Sequence, residues 1–278
     1  MSQRATFKTL TLVSFLAVSY GAFCQEQSTK QSSHAEMEEF LRSANIVQRK
    51  ALGTGVTSSD RAKLSDGHLE HDAHVQSVNI EKPTFTTSHG TELNFKDSYK
   101  FNIAAYRLDQ ILGLNMIPVS VERKVAGKTS AITWWVDDVL MDELQRHNKN
   151  VTPPDLDGWS KQMHILRVFD QLIYNTDRNL GNMLIDKKWQ IWMIDHTRAF
   201  RSQKTLLSQK NLVMCDRKLL ASLRKLDEDT LTGELKAFLT KTEIKALVAR
   251  RDLIVRFFDD EVASKGEGAV LYDLPRRQ

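Results

Sequence analysis

Between Asp177 and Asp195 the chain sets the spacing of three polar side chains before anything else about its fold is known. The carboxylate of Asp177 is followed five residues on by the amide of Asn182, and thirteen residues later by the carboxylate of Asp195. The stretch between the last two reads as a β-hairpin. Met183-Leu184-Ile185 is a short apolar strand, Asp186-Lys187-Lys188 a polar turn, and residues 189–194 a strand rich in aromatic and β-branched side chains. Closing that hairpin sets Asn182 and Asp195 side by side at its open end, facing one cation. One acid to orient a hydroxyl, with an amide oxygen and a second acid to hold metal ions against phosphates, is what phosphoryl transfer from a nucleotide needs. Asp and Asn also favour turns through local hydrogen bonds, so a lone D-x-x-x-x-N would signify only a polar loop.

The flanks argue for more than a loop. Val168-Phe169-Asp170-Gln171-Leu172-Ile173 enters as an apolar helical run, and Ala199-Phe200 leaves on the other side. The wider pattern, F-D-x-L-I-x-N-x-D-R-N-x-G-N-x-L-(x)9-I-D-H-x-x-A-F, resembles the catalytic segment of the atypical kinases. These include the HipA-like kinases, the phosphatidylinositol 3-/4-kinase-like proteins and the secretory-pathway (Golgi) casein kinases. As in that group, the Arg follows the Asp here, whereas typical protein kinases read His-Arg-Asp. The resemblance implies a two-lobed, protein-kinase-like α+β fold: a small antiparallel N-lobe sheet with one helix, then a mainly helical C-lobe. It also implies Asp177 as the catalytic acid, Asn182 and Asp195 as metal ligands, and ATP with Mg²⁺ or Mn²⁺ as cofactors.

A second resemblance lies upstream. Residues 102–113 form a helix ended by Gly113, and Ile117-Pro118-Val119 follows. The run looks like the regulatory helix of the same kinases, where E-I-A-A-x-x-L-D-x-x-L-G leads to a V-P segment. There the opening glutamate pairs with a lysine that positions the nucleotide; here the two positions are Asn102 and, on the strand His74-Val75-Gln76-Ser77-Val78, Gln76. A lysine brings full positive charge to the phosphates in a low-dielectric cleft, and a glutamine brings only a hydrogen bond. Without the lysine, a glutamate would be a costly unpaired buried charge, so the two changes belong together. A Gln76–Asn102 hydrogen bond would satisfy the cleft. Three readings stay open: a folded but inactive site, nucleotide held in an altered pose, or a lysine from the neighbouring strand, for which Lys63 is the candidate.

Gly53-Thr54-Gly55-Val56-Thr57 matches a phosphate-covering loop, its glycines letting backbone N–H groups approach anionic oxygens, or else an ordinary turn between strands. Trp135, within Trp134-Trp135-Val136, borders an adenine pocket or belongs to plain core. His68, His71 and His74 recur at three-residue steps, but after Asp66-Gly67 the segment should be extended, with His71 pointing opposite to the other two. Nothing matches G-x-S-x-G, H-E-x-x-H or paired C-x-x-C.

Residues 1–24 read as an export signal: Arg4 and Lys8, then an apolar run over 9–23 too short to span a membrane, with cleavage near Cys24 or, less well, a lipid anchor there. Its removal lowers the net charge from +4 to +2, and no clustered basic face speaks for nucleic acid. Cys215 is then the only thiol, so the stability of an exported product must come from packing. The chain divides into a signal (1–24), a flexible leader (25–35), an N-lobe (36–140) and a C-lobe (141–278). Helices are expected over 36–44, 99–112, 158–174, 217–226, 231–238 and 242–265, and strands over 46–64, 73–80, 117–125 and 130–136, with a polar interval at 81–97. The partners expected are a nucleotide and a protein or lipid acceptor, with no membrane span in the mature chain. A pseudokinase that binds nucleotide without turnover is the alternative, and a metal-dependent hydrolase a third.

Overall fold

Small apolar and polar residues alternate along β2 (Ser59–Ser65) and β3 (Glu70–Gln76), which gives their sheet two unlike faces. The structure is a computed structural model that describes Met1 and residues 33–53, 59–87, 90–275 and 277. The expected signal segment, its cleavage point at Cys24, and Thr54 and Gly55 of the glycine loop lie outside the described residues.

The sheet has five antiparallel strands in the order β1-β2-β3-β7-β6, with β1 (Asn45–Leu52), β6 (Ser120–Val125) and β7 (Lys128–Trp134). One face buries Ala62, Leu64, Ala73, Val75, Ile132 and Trp134 in a core shared with α1 (His34–Ser43) and α2 (Lys100–Leu112). Burying a large apolar side chain of this kind stabilises by about 1.5–3 kcal/mol. The opposite face carries Arg61, Asp72, His74, Gln76 and Thr133, set by the registers Arg61↔His74↔Thr133 and Ser59↔Gln76. Gly113, at φ 66°, closes α2 by donating to the Asp109 and Gln110 carbonyls, the left-handed cap that favours glycine.

The structure departs from the sequence reading at residues 81–97. That polar interval is a long hairpin, β4 (Asn79–Thr87) against β5 (Gly90–Ser98), paired from Asn79↔Ser98 to Thr87↔Gly90. The strand expected over 73–80 is accordingly divided: β3 stops at Gln76, and the Tyr99 N–H donates to the Val78 carbonyl.

Beyond β7 the chain becomes mainly helical. There β8 (Val139–Asp142), β9 (Met183–Asp186) and β10 (Ile191–Met193) form a three-stranded sheet beside α3 (Glu143–Asn148) and α4 (Leu156–Ile173). The helices α5 (Arg217–Lys225), α6 (Glu228–Leu235) and α7 (Lys241–Lys265) follow. Thr240 opens α7 with a capping box: its hydroxyl accepts from Glu243 N at 3.3 Å while Glu243 accepts from Thr240 N at 2.7 Å. Phe169, Phe200 and Phe258 are fully buried where α4 and α7 meet the loop that follows β10. Among the described residues no helix is long and apolar enough to cross a membrane.

Candidate functional site

Helix α4 ends where the site begins. Tyr174 takes a left-handed φ of 52°, and Asn175 then fixes the turn. Its backbone N–H donates to the Asp170 carbonyl (3.0 Å), its Nδ2 to Asp170 Oδ1 (3.0 Å), and its Oδ1 accepts from Asp177 N (3.1 Å). Asp177 is therefore presented by a residue whose backbone N–H and side-chain amide are engaged. A short turn, Leu180–Asn182, follows, and Asn182 Nδ2 donates back to the Asp177 carbonyl at 3.3 Å. Its Oδ1 accepts no hydrogen bond among the described residues.

The hairpin then brings the second acid round. Met183 pairs with Met193, and Ile194 N donates to the Asn182 carbonyl at 3.1 Å, so Asp195 emerges directly beside Asn182. Asp195 sits at φ 54°, a conformation Asp tolerates better than most residues, and the Thr197 hydroxyl donates to its Oδ1 at 3.1 Å. The structure thus gathers Asp177, Asn182 and Asp195 at one end of β9–β10.

Arg178 braces the open end of the hairpin. Its Nε and Nη2 grip Asp170 at 2.9 and 3.1 Å, and its Nη1 reaches the Asn182 carbonyl at 2.8 Å and the Ile194 carbonyl at 3.0 Å. Nη2 also donates to His196 Nε2 at 3.0 Å. His196 is fully buried, and burial with the adjacent Arg178 charge holds its imidazole well below the usual range, so the ring is neutral and accepts.

The upstream candidates divide. Asn102, in the first turn of α2, accepts from His196 N at 2.7 Å and ties that helix to the Asp195 loop. Gln76 is buried at the end of β3, where its Oε1 accepts from Val78 N at 3.0 Å; the oxygen of each amide thus serves a backbone N–H. Lys63 is not brought to them. It stands opposite Asp72, four residues along β2 from Ser59, the partner of Gln76, and its Nζ lies 3.7 Å from Glu70 near the β2–β3 turn. At about 3.3 Å per residue that offset is roughly 13 Å. Trp135 is half-buried under the Arg61 guanidinium, 4.3 Å from its ring centroid, while Trp134 packs in the core. Gly53 is exposed at the end of β1 with open space around it.

The structure adds His74, Arg198, Arg201 and Asp97 to the cleft, none of them a site residue in the sequence reading. His74 lies on the same sheet face as Gln76, and the Asp195 charge reaches it. Burial nevertheless dominates and lowers its imidazole below the usual range. Arg198 donates to Asp177 Oδ1 at 3.4 Å and to Glu92 Oε2 at 3.3 Å, and Arg201 approaches Glu92 Oε1 at 2.7 Å. Asp97, at the end of β5, is only 8% exposed and pushed above the usual carboxylate range, first by burial and then by Asp195 and Asp177. Burial also raises Asp177, with Asp195 adding to it and Arg198 opposing. Position-three spacing was the only sequence signal for His74; Asp97 and Arg198 had none beyond lying near the two resemblances.

Solved structures share this arrangement of elements. Hydra Fam20, solved with sugar, aligns with a TM-score of 0.66 at 16% identity over 86% of this chain and 92% of its own. The fold is kinase-like. A Golgi casein kinase aligns at 0.61 and 13% identity over 89% of this chain and 82% of its own. The structure of a Golgi casein kinase with Mn/ADP bound gives 0.61 and 12% over 88% and 80%. No protein-family model and no curated protein matches the sequence.

Proposed function

We propose that the protein is an ATP- and divalent-metal-dependent phosphotransferase acting on a hydroxyl of a protein or lipid. The observation that carries this reading is the meeting of Asp177, Asn182 and Asp195 at the mouth of β9–β10. The donors left facing that mouth are oxygens, which suit Mg²⁺ or Mn²⁺. Among the described residues no three His, Cys, Asp or Glu side chains gather to hold a metal unaided. Asn182 and Asp195 would therefore share the cation with water and phosphate oxygens, as Mg²⁺ commonly requires. Bound there, metal and nucleotide would supply the phosphoryl group and neutralise its charge.

The chain's own groups do the rest. Asp177 accepts the proton of the acceptor hydroxyl and orients it, and its raised carboxyl makes it a better base at neutral pH than a free aspartate. Arg198 steadies the same carboxylate, Thr197 orients Asp195, and Arg178 fixes the spacing between the two acids. An export signal at 1–24 would put this activity outside the cytoplasm, where ATP is scarce.

A nucleotide-binding module without turnover is the second reading, favoured by the neutral pair Gln76 and Asn102 on the phosphate side. Incubation with γ-labelled ATP, Mg²⁺ or Mn²⁺ and a panel of protein and lipid acceptors separates the two. Label transfer lost on Asp177→Ala supports the enzyme. Nucleotide-dependent thermal stabilisation without transfer supports the module, and phosphate release without an acceptor supports a hydrolase.

A further inference from the structure

Asn102 leaves the first turn of α2 without the acid that its resemblance to kinase helices leads one to expect, and a different carboxylate stands in the same cleft. Asp97 is the penultimate residue of β5, five residues before Asn102, and the Ser98 N–H donates to the Thr197 carbonyl at 2.9 Å, which pins the end of the strand against the loop after Asp195. The Thr197 hydroxyl donates to Asp195 Oδ1 at 3.1 Å, so the residue that pins the end of β5 also orients the acid of the cation site. Among the described residues the buried Asp97 Oδ1 has no hydrogen-bond partner, a costly state for a carboxylate oxygen. Arg198 and Arg201 are near enough to offset its charge in part, though each already engages Glu92, and Arg198 engages Asp177 as well. A carboxylate so buried, anchored against the Asp195 loop and short of partners, has a use for a divalent cation.

We infer that Asp97 is the second carboxylate of the cation site, pairing with Asp195 from the β5 side of the cleft and supplying the negative charge that Asn102 does not. The inference rests on the phosphotransferase or nucleotide-binding reading, in which Asp195 holds metal. Asp97 is a positioning and ligand residue there, and it takes no proton from the acceptor.

The test is Mn²⁺ titration of the full chain, followed by the paramagnetic signal of free Mn²⁺, for wild type, Asp97→Asn and Asp195→Asn, with melting curves recorded without metal. Asp97→Asn should weaken Mn²⁺ binding at least tenfold while the metal-free melting temperature stays level or rises, because a crowded buried charge is removed. Thr197→Val should weaken binding by a smaller factor with Asp97 intact. Wild-type Mn²⁺ affinity in Asp97→Asn, alongside loss in Asp195→Asn, overturns the inference and leaves the broader reading standing. A lower metal-free melting temperature, or failure of Asp97→Asn to fold, also overturns it and makes Asp97 a counter-ion for Arg198 and Arg201. If wild type binds no Mn²⁺, or Asp195→Asn binds it normally, the broader reading fails and takes this inference with it.

Discussion

Arg178 holds Asp170 through two nitrogens, at 2.9 and 3.1 Å, and both side chains are largely shielded from water. Through its remaining donors the same guanidinium fixes the Asn182 and Ile194 carbonyls. Lysine can replace the charge but not this planar fork. Arg178→Ala leaves Asp170 buried and unpaired, which should cost about 3–5 kcal/mol of stability in a urea or thermal unfolding curve. Arg178→Lys should cost less yet still weaken Mn²⁺ binding, since Asn182 and Asp195 lose their common brace.

Asp177 touches no residue whose position depends on its carboxylate except Arg198, at 3.4 Å. Asp177→Asn should therefore fold and bind nucleotide as the wild type does while phosphate transfer falls by about 10²–10⁴-fold, the usual contribution of a positioned base. Equal losses of binding and transfer would give Asp177 a structural role instead.

The neutral pair can be re-charged. Gln76→Lys alone places an ammonium in a buried position and should lower stability by several kcal/mol, on the order expected for an unpaired buried charge. Adding Asn102→Glu should recover part of that loss and raise affinity for an ATP analogue several-fold above wild type, measured by calorimetry. Unchanged affinity in the double variant would mean that position 76 lies out of reach of the phosphates.

Asp109, at the end of α2, accepts from Met116 N at 2.9 Å and is raised by burial to about 7. The sign follows directly. From about pH 4 to 7 the folded chain keeps a proton that the unfolded chain has released, so stability falls as pH rises through that window and levels off above it. The size is on the order of a few kcal/mol. Asp109→Asn keeps an acceptor for Met116 and should remove this slope, so wild type and variant converge in acid and separate near neutral pH.

What could be foreseen followed from strong local signals. The β9–β10 hairpin and the left-handed stop at Gly113 each follow from side-chain chemistry within a few residues, and the structure has them where the sequence puts them. The β4–β5 hairpin was hidden because most of its residues face solvent on both sides, so neither strand alternates, and Pro83 speaks against a strand. Losing that hairpin meant losing Asp97 and Glu92, whose roles depend on contacts with Thr197, Arg198 and Arg201 that lie about a hundred residues away. Lys63 lies away from Gln76 for a related reason: an adjacent strand does not imply an adjacent position, and register sets Ser59, not Lys63, beside Gln76. The histidine steps alternate as an extended segment should. His71 bonds Asp137 at 2.9 Å and stacks on Trp134 at 3.6 Å, while His74 faces the cleft.

The most direct measurement is binding of a non-hydrolysable ATP analogue by calorimetry, with and without Mn²⁺, in wild type and in Asp195→Asn. Binding that requires the metal and is lost in the variant is the result this account predicts. Binding that ignores Mn²⁺, or that survives Asp195→Asn unchanged, would contradict it.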